Sequence, residues 1–335
     1  MTDQQKRNWP KDWFGWCEVQ QWLGCGLGPA LLGILLATVA ATLLSCQGRT
    51  PQGSVTAYVS QDQVYAEPIL AAFTTETGIK VRTIFDSEAV KTVAIANRLL
   101  AERAHPQCDV YWGNEELRTR QLLAEGLFRP TNAWAAVGYR SRRLVINTNR
   151  VSLADLPHSL LELTNTRWQG RVAIAYPLFG TTATHFLALR QHWGQTGWSN
   201  WCAALRVNRP FLVDGNSVVV KFVERGEAFL GLTDSDDIAA AQREGAPVWG
   251  QPLDEQSLLI PNTVAVIRNS PHPAAAQRLF EYLQRREVVA GLVAARALEG
   301  NNRAEVPIPT LQPQWELLLS DLDGATATLK TIFLR

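Results

Sequence analysis

The stretch YVSQDQVYAEPILAAFTTETGIKV, Tyr58–Val81, decides the fold. Its first residues end a β-rich run, Val55–Ser60. Leu70 and Phe73 then share one helical face, and Gly78 stops the helix. Ile79–Phe85 follows with the alternation of a strand. Strand, helix and strand in so short a span require a crossover over one sheet face, the unit from which parallel sheets are built.

The rhythm continues outward from this stretch. Glu88–Ala104 places Val90, Val93, Asn97 and Leu100 at helical spacing. Cys108–Trp112 reads as a short strand, and the helix after it ends at Gly126. Arg142–Asn149 reads as a strand leaving this first unit. Beyond it lie the strand Arg171–Tyr176, the helix TTATHFLALRQHW, the helix within Gly215–Gly226 and the strand EAFLGLT. The helix DSDDIAAAQREG is next, then the strand Ile260–Asn269 and the helix His272–Leu283, with Pro273 in its first turn. Residues after about 299 read as a helical tail. The order predicts an α/β chain of two lobes, joined by crossings near 138–148 and 260–266.

Composition narrows the function. Hydrophobic residues make up 46% of the chain and charged residues 19%, a globular balance. With 32 basic and 31 acidic residues the net charge is +1, so nothing suggests a nucleic-acid surface. The five cysteines form no C-x-x-C pair and no zinc spacing with histidine. Cys108 and Cys202 fall in different lobes, where a bridge would hinder relative motion, so both are expected as free, buried thiols. No Walker loop, G-x-S-x-G elbow or H-E-x-x-H helix occurs.

The N-terminus carries an address. Leu27–Leu44 is uncharged and apolar, and it ends in LLSC, Leu43–Cys46. Such a run ending in small residues reads as a secretory signal over residues 1–45. The ending also resembles a bacterial lipobox, which implies cleavage before Cys46 and acylation of its thiol, with residues 46–54 as linker. More than one acyl chain gives stable attachment. A second reading is an uncleaved anchor, since about 18 apolar residues just span a bilayer. Either reading places the body outside the cytoplasm.

In open α/β sheets ligands bind beyond the carboxyl ends of strands. Those junctions read Ser60–Asp62, Asp86–Glu88, Gly113–Glu116, Leu178–His185, Asp214–Ser217 and Thr233–Asp237. Gly180, Thr181 and Thr182, with Asn216 and Ser217, open helices whose free N–H groups suit an oxyanion. Asp62, Glu88, Glu115, Asp236 and Asp237 suit a hard cation or an organic amine. Trp112 is either core or a stacking surface for a cation. The bland reading is capping: one acid in a first helical turn is stabilising without any ligand. Asp234 beside two further acids exceeds what a cap needs.

YVSQDQVYAEPILAAFTTETGIKV, CDVYWGNE, LTNTRWQGRVAIAYPLFGTTATH, VDGNSVV, GLTDSDD and IPNTVAVI, in this order, resemble the bacterial extracellular solute-binding proteins of ABC importers. The resemblance runs from about Val55 to Leu283 and includes the branch of ferric-iron-binding proteins. It implies a two-lobe type II periplasmic-binding fold, with lobe 1 at 55–138 plus about 264–335 and lobe 2 at 139–263. It implies a lipid-anchored, iron-capturing receptor on the outer face of the membrane or in the periplasm. Its partners would be a permease and its ATPase; it would be a monomer, would hold no cofactor and would not be an enzyme. Where the iron-binding relatives carry an adjacent tyrosine pair, this chain reads Asp236-Asp237. The first-loop position reads Asp62, and the third-strand position offers Asn114 and Glu115. The implied metal set is thus Asp62, Glu115, Asp236 and Asp237. The anion-holding loops are Gly180–Thr182 and Asn216–Ser217, with Ser60, Glu88, Trp112 and Asp234 also facing the ligand. Loss of the phenolates leaves a divalent metal or an organic solute (an amine, phosphonate or other oxyanion) as alternatives. An extracytoplasmic enzyme using the same cleft is a third reading. Ser235 is expected to cap the helix that Asp236 opens.

Overall fold

A computed structural model describes residues 53–85 and 91–334. The leader, Cys46 and Glu88 lie outside the described residues.

The opening stretch folds as read. Strand β1 (Ser54–Val59) leads into α1 (Gln63–Thr77) and returns as β2 (Lys80–Phe85), parallel to β1. Gly78 ends α1 in the left-handed conformation, φ 74°, with its N–H on the Thr74 carbonyl at 2.9 Å. Glycine takes that φ without the Cβ clash other residues meet. Helix α2 (Lys91–Ala101), strand β3 (Val110–Gly113) and helix α3 (Glu116–Ala124) complete the first rhythm.

Strand β4 (Trp134–Asn147) is longer than the sequence suggests and runs through both halves of the sheet. The rest of the chain is β5 (Val172–Ala175), α4 (Gly180–Val207), β6 (Phe211–Val213), α5 (Asn216–Glu224), β7 (Leu230–Asp234), α6 (Ser235–Arg243), β8 (Val248–Gln251), β9 (Leu259–Val266), α7 (Pro273–Leu283), α8 (Arg286–Ala294) and α9 (Trp315–Phe333). Residues 134–141 of β4 pair antiparallel with β9, and residues 142–146 pair antiparallel with β7. The sheet order is β2-β1-β3-β9-β4-β7-β5-β6, with β8 on the far part of β4. One strand therefore belongs to two half-sheets, and the change of partner falls between Ser141 and Arg142.

Each half-sheet is covered on both faces. In the first, Val55 and Val59 face Phe73 and Leu279, while Tyr58 and Tyr111 face Ile95 and Phe128. In the second, Leu144 and Ile146 pack with Ile174, Leu232 and Phe186, while Val145 packs with Ala173 and Val219. That alternation along β4 is the two-residue period of a strand. Cys108 and Cys202 are buried and free.

The sequence reading assigns residues 264–335 to the first lobe, but α9 does not stay there. Its buried residues Leu322, Leu329 and Phe333 join the core of the second half, with Phe333 edge-on to Phe186 at 6.1 Å. At its start, Trp315 and Trp134 flank the Arg120 guanidinium of α3, at 5.4 and 5.5 Å. The tail thus straps the two halves. The periodicity that announces α9 says nothing about which core receives it. Among the described residues no helix is long and apolar enough to cross a membrane.

Gly138 breaks β4 just before the change of partner, at φ 70° and a register shift between Val137 and Tyr139. A Cβ there would lie 2.4 Å from Leu298 Cδ1 and 3.0 Å from Val289 Cγ1. Gly138→Ala is expected to cost about 2–4 kcal/mol from strain plus overpacking. Urea unfolding reads this directly; a loss below about 0.5 kcal/mol would show that the bulge can relax.

Candidate functional site

The site lies at the strand ends around the change of partner in β4, and two residues that the sequence reading passed over organise it. Arg140 and Arg142 are two apart on β4, so they share one side of the strand with Leu144 and Ile146. Arg142 is fully buried. Its Nη1 donates to Asp234 Oδ1 at 2.7 Å and Asn216 Oδ1 at 2.9 Å. Its Nη2 donates to Thr182 Oγ1 at 3.2 Å and to the Leu232 carbonyl at 3.3 Å. Arg140 donates to Asp234 Oδ2 at 3.3 Å, to Asn262 Oδ1 at 3.1 Å and to the Asn114 carbonyl at 3.0 Å.

Asp234 is the hub. Its Oδ2 also accepts from Thr181 Oγ1 at 2.9 Å and Asn216 Nδ2 at 3.2 Å. The groups expected to grip an external oxyanion, Thr181 and Asn216, therefore hold a carboxylate of the protein itself. Thr182 joins them through Arg142 and Asn216. Burial alone would raise the Asp234 pKa, but Arg142, Arg140 and the Thr181 hydroxyl hold it below the usual value. Gly180 opens α4 at φ 53°, and Ser217 sits in the first turn of α5.

Asp236 has the opposite balance. It is 6% exposed, and its Oδ1 lies 3.4 Å from Arg140 Nε without accepting a hydrogen bond. Burial pushes its pKa up to about 7; Arg140 opposes this, while Asp234 and Asp62 add to it. Arg140 stays charged because Asp236, Asp234, Asp62 and Asp237 outweigh the cost of its burial. Asp237 accepts from Thr233 Oγ1 at 3.3 Å. One oxygen each of Asp234, Asp236 and Asp237 lie within 4.8 Å of one another.

The remaining expected residues divide. Asp62 stands at the N-cap of α1 without a side-chain cap bond, and its charge is felt by Arg140 and Asp236. Ser60 and Trp112 end neighbouring strands, joined by Ser60 N–H to the Trp112 carbonyl at 2.8 Å. Glu115 is committed to structure: its oxygens accept from Leu117 N at 2.8 Å, Arg118 N at 2.9 Å and Thr184 Oγ1 at 3.0 Å. It caps α3 and reaches across to α4 in the same stroke. Ser235 does not cap α6. Asp234 holds the N-cap position, and Ser235 Oγ accepts the Ser141 N–H at 3.2 Å.

Sequence reasoning missed Arg140, Arg142, Gln61 and Asn262. Gln61 Nε2 and Asn262 Nδ2 are buried without a hydrogen-bond partner, as is Trp112 Nε1. The signal for the arginines was present in YRSRRLVIN, where two cations alternate on a strand that must be buried. His185 is neutral: burial, then Arg142, lowers its pKa to about 3, and its Nε2 bonds the Gln256 carbonyl at 2.6 Å.

The family model of bacterial extracellular solute-binding proteins matches residues 55–295. The chain belongs to that family. This solute-binding protein is 25% identical over 324 residues to the major ferric iron-binding protein of Neisseria meningitidis, covering 89% of this chain and 95% of that one. Among solved structures it is similar to iron-bound HitA from Pseudomonas aeruginosa, with a TM-score of 0.72 and 22% identity over 83% of this chain and 99% of that one. It is similar also to AfuA from Actinobacillus pleuropneumoniae with fructose-6-phosphate bound, at TM-score 0.71 and 17% identity over 84% of this chain and 99% of that one. The two-lobe periplasmic-binding architecture is common to these relatives.

Proposed function

We infer that this protein is the extracytoplasmic receptor of an ABC importer and that its interlobe cleft captures ferric iron, which it hands to a permease. The observation that carries the reading is Asp236. It is a buried carboxylate in the first turn of α6, just past the end of β7, with an oxygen that no hydrogen bond satisfies, beside Asp237 and within the field of Asp62. A buried acid left so is costly for the fold, and a hard cation is what its oxygens suit. The ligand set proposed is Asp62, Asp236 and Asp237. Asp234 is saturated by Arg142, Arg140, Thr181 and Asn216, so it holds the frame. Glu115, with its oxygens taken, positions α3 against α4. The meningococcal relative named for ferric iron supports the same cargo.

The same reading places lipid attachment at Cys46, the first lobe at 55–138 and from 264 to the end of α8, and the second at 139–263. The protein acts as a monomer and binds reversibly without turnover. A second reading is favoured by the buried donors Gln61 Nε2, Asn262 Nδ2 and Trp112 Nε1 and by the sugar-phosphate-bound relative: a small organic solute carrying an anionic group.

The test is metal content by elemental mass spectrometry. Protein beginning after Cys46 is incubated with ferric iron and competing divalent ions, then desalted. About one iron per chain, lost in the Asp236→Asn/Asp237→Asn double variant, is the expected result. No retained metal would sink the iron reading and leave the organic solute.

A further inference from the structure

Helix α6 carries Asp236 in its first turn and Arg243 at its last residue. Its buried residues Ile238 and Ala241 belong to the core of the second half. Arg243 reaches out of that half. Its Nη2 donates to the Tyr65 hydroxyl at 2.8 Å, and its Nη1 to the Ala295 carbonyl. Tyr65 is on α1 and packs against the core of the first half; Ala295 caps α8 of the same half. The Arg243 guanidinium also lies 5.9 Å from the centre of the Tyr65 ring. Closer to the change of partner, Arg143 of β4 pairs with Glu299. Glu299 is fixed to the part of β4 that pairs with β9 by its N–H on the Tyr139 carbonyl at 2.7 Å. Between the two bridges an open cavity of about 470 Å³ separates α6 and β8 from α8 and the 296–299 loop. The halves therefore touch at points along this side and are not packed face to face.

We propose that Arg243 is a clasp between the lobes: by tying the far end of α6 to Tyr65 and Ala295 it holds the helix that presents Asp236 against the first half. Arg243 is a positioning residue. It bonds none of the proposed ligand carboxylates, although its partner Tyr65 lies within the field of Asp236 and Asp62, and it acts on the opening equilibrium through α6. A contact made only when the lobes are together shifts that equilibrium by its own differential free energy. It lies at the opposite end of α6 from Asp236, so removing it deletes no proposed ligand group. The inference is independent of which solute the cleft takes.

The experiment uses the full-length chain without any added solute, so that failure of the iron reading cannot affect it. Cys17, Cys25 and Cys46 are replaced by serine, and Cys108 and Cys202 are buried and need no change. Spin labels are placed at Leu123→Cys on α3 and Val207→Cys on α4, positions 38% and 72% exposed. The distance distribution between them reports lobe separation. Arg243→Ala should raise the long-distance population about three- to tenfold, the range expected for two hydrogen bonds from one guanidinium at a solvated site. Tyr65→Phe, which removes a single hydroxyl, should give part of that rise, and Arg243→Lys should restore part of the closed population. An unchanged distribution in Arg243→Ala would overturn the proposal. So would an equal rise in Arg243→Ala and Arg243→Lys, since any loss at that position would then suffice.

Discussion

Asp236→Asn is expected to make the protein more stable above pH 7 and less able to hold its ligand. The pKa of Asp236 in the folded chain is about 7, against an ordinary 3.8, because the carboxylate is buried and faces Asp234 and Asp62. A folded-state pKa above the unfolded one means that ionisation costs stability. The cost is absent below pH 3.8, grows as pH rises towards 7, and is complete above it. Asparagine removes the ionisable proton and keeps the shape. Unfolding at pH 8 should therefore show a gain on the order of 2 kcal/mol, less than the full shift implies because the surroundings relax around a buried charge. At pH 4 the two proteins should be nearly equal. Affinity should move the other way, falling by at least about tenfold, or 1.4 kcal/mol, if Asp236 contacts a cation. A residue that serves the fold alone would lose stability on substitution, so a destabilised Asp236→Asn with unchanged affinity would refute the assignment.

Arg142→Met should be the most damaging single change in the site. It leaves the buried Asp234 carboxylate without its 2.7 Å partner and unties Asn216 and Thr182. Breaking a buried pair from one side costs roughly 3–5 kcal/mol, because the remaining charge is uncompensated. Asp234→Asn in the same chain should recover part of that loss, since the charge left behind is gone. The signature is a non-additive double-mutant cycle, read by urea unfolding. The pH dependence has a definite sign. Asp234 has a lowered folded pKa, so its pairing stabilises above its unfolded value of 3.8 and is lost as pH falls through the folded value. The gap between wild type and Arg142→Met should therefore narrow under acid. Additive single effects would mean that Arg140 alone is sufficient for Asp234.

These two residues show why an acidic cluster cannot be read by counting acids. Asp234, Asp236 and Asp237 occur within four residues of sequence, yet Asp234 is spent on Arg142 while Asp236 keeps an unsatisfied oxygen. Their difference comes from β4, whose arginines are some ninety residues away in the chain. Thr181 and Asn216 were legible as helix-start residues suited to an anion. That the anion is Asp234 follows only from the antiparallel pairing of Arg142 with Asp234 across β4 and β7.

The sequence by itself determined most of the strands and helices of both halves, the free buried cysteines and the family, while β6, β8, α8 and the first part of β4 went unread. What it determined rests on local periodicity, glycine stops and ordered phrases, which neighbouring residues carry. Only the tertiary structure decided which charges meet. The double use of β4, the docking of α9 into the second core, the capture of Glu115 by α3 and Thr184, and the reach of Arg243 to Tyr65 all join residues distant in sequence. The strength of a charge in a protein depends on its burial and its partners, and neither is a property of the stretch that contains it.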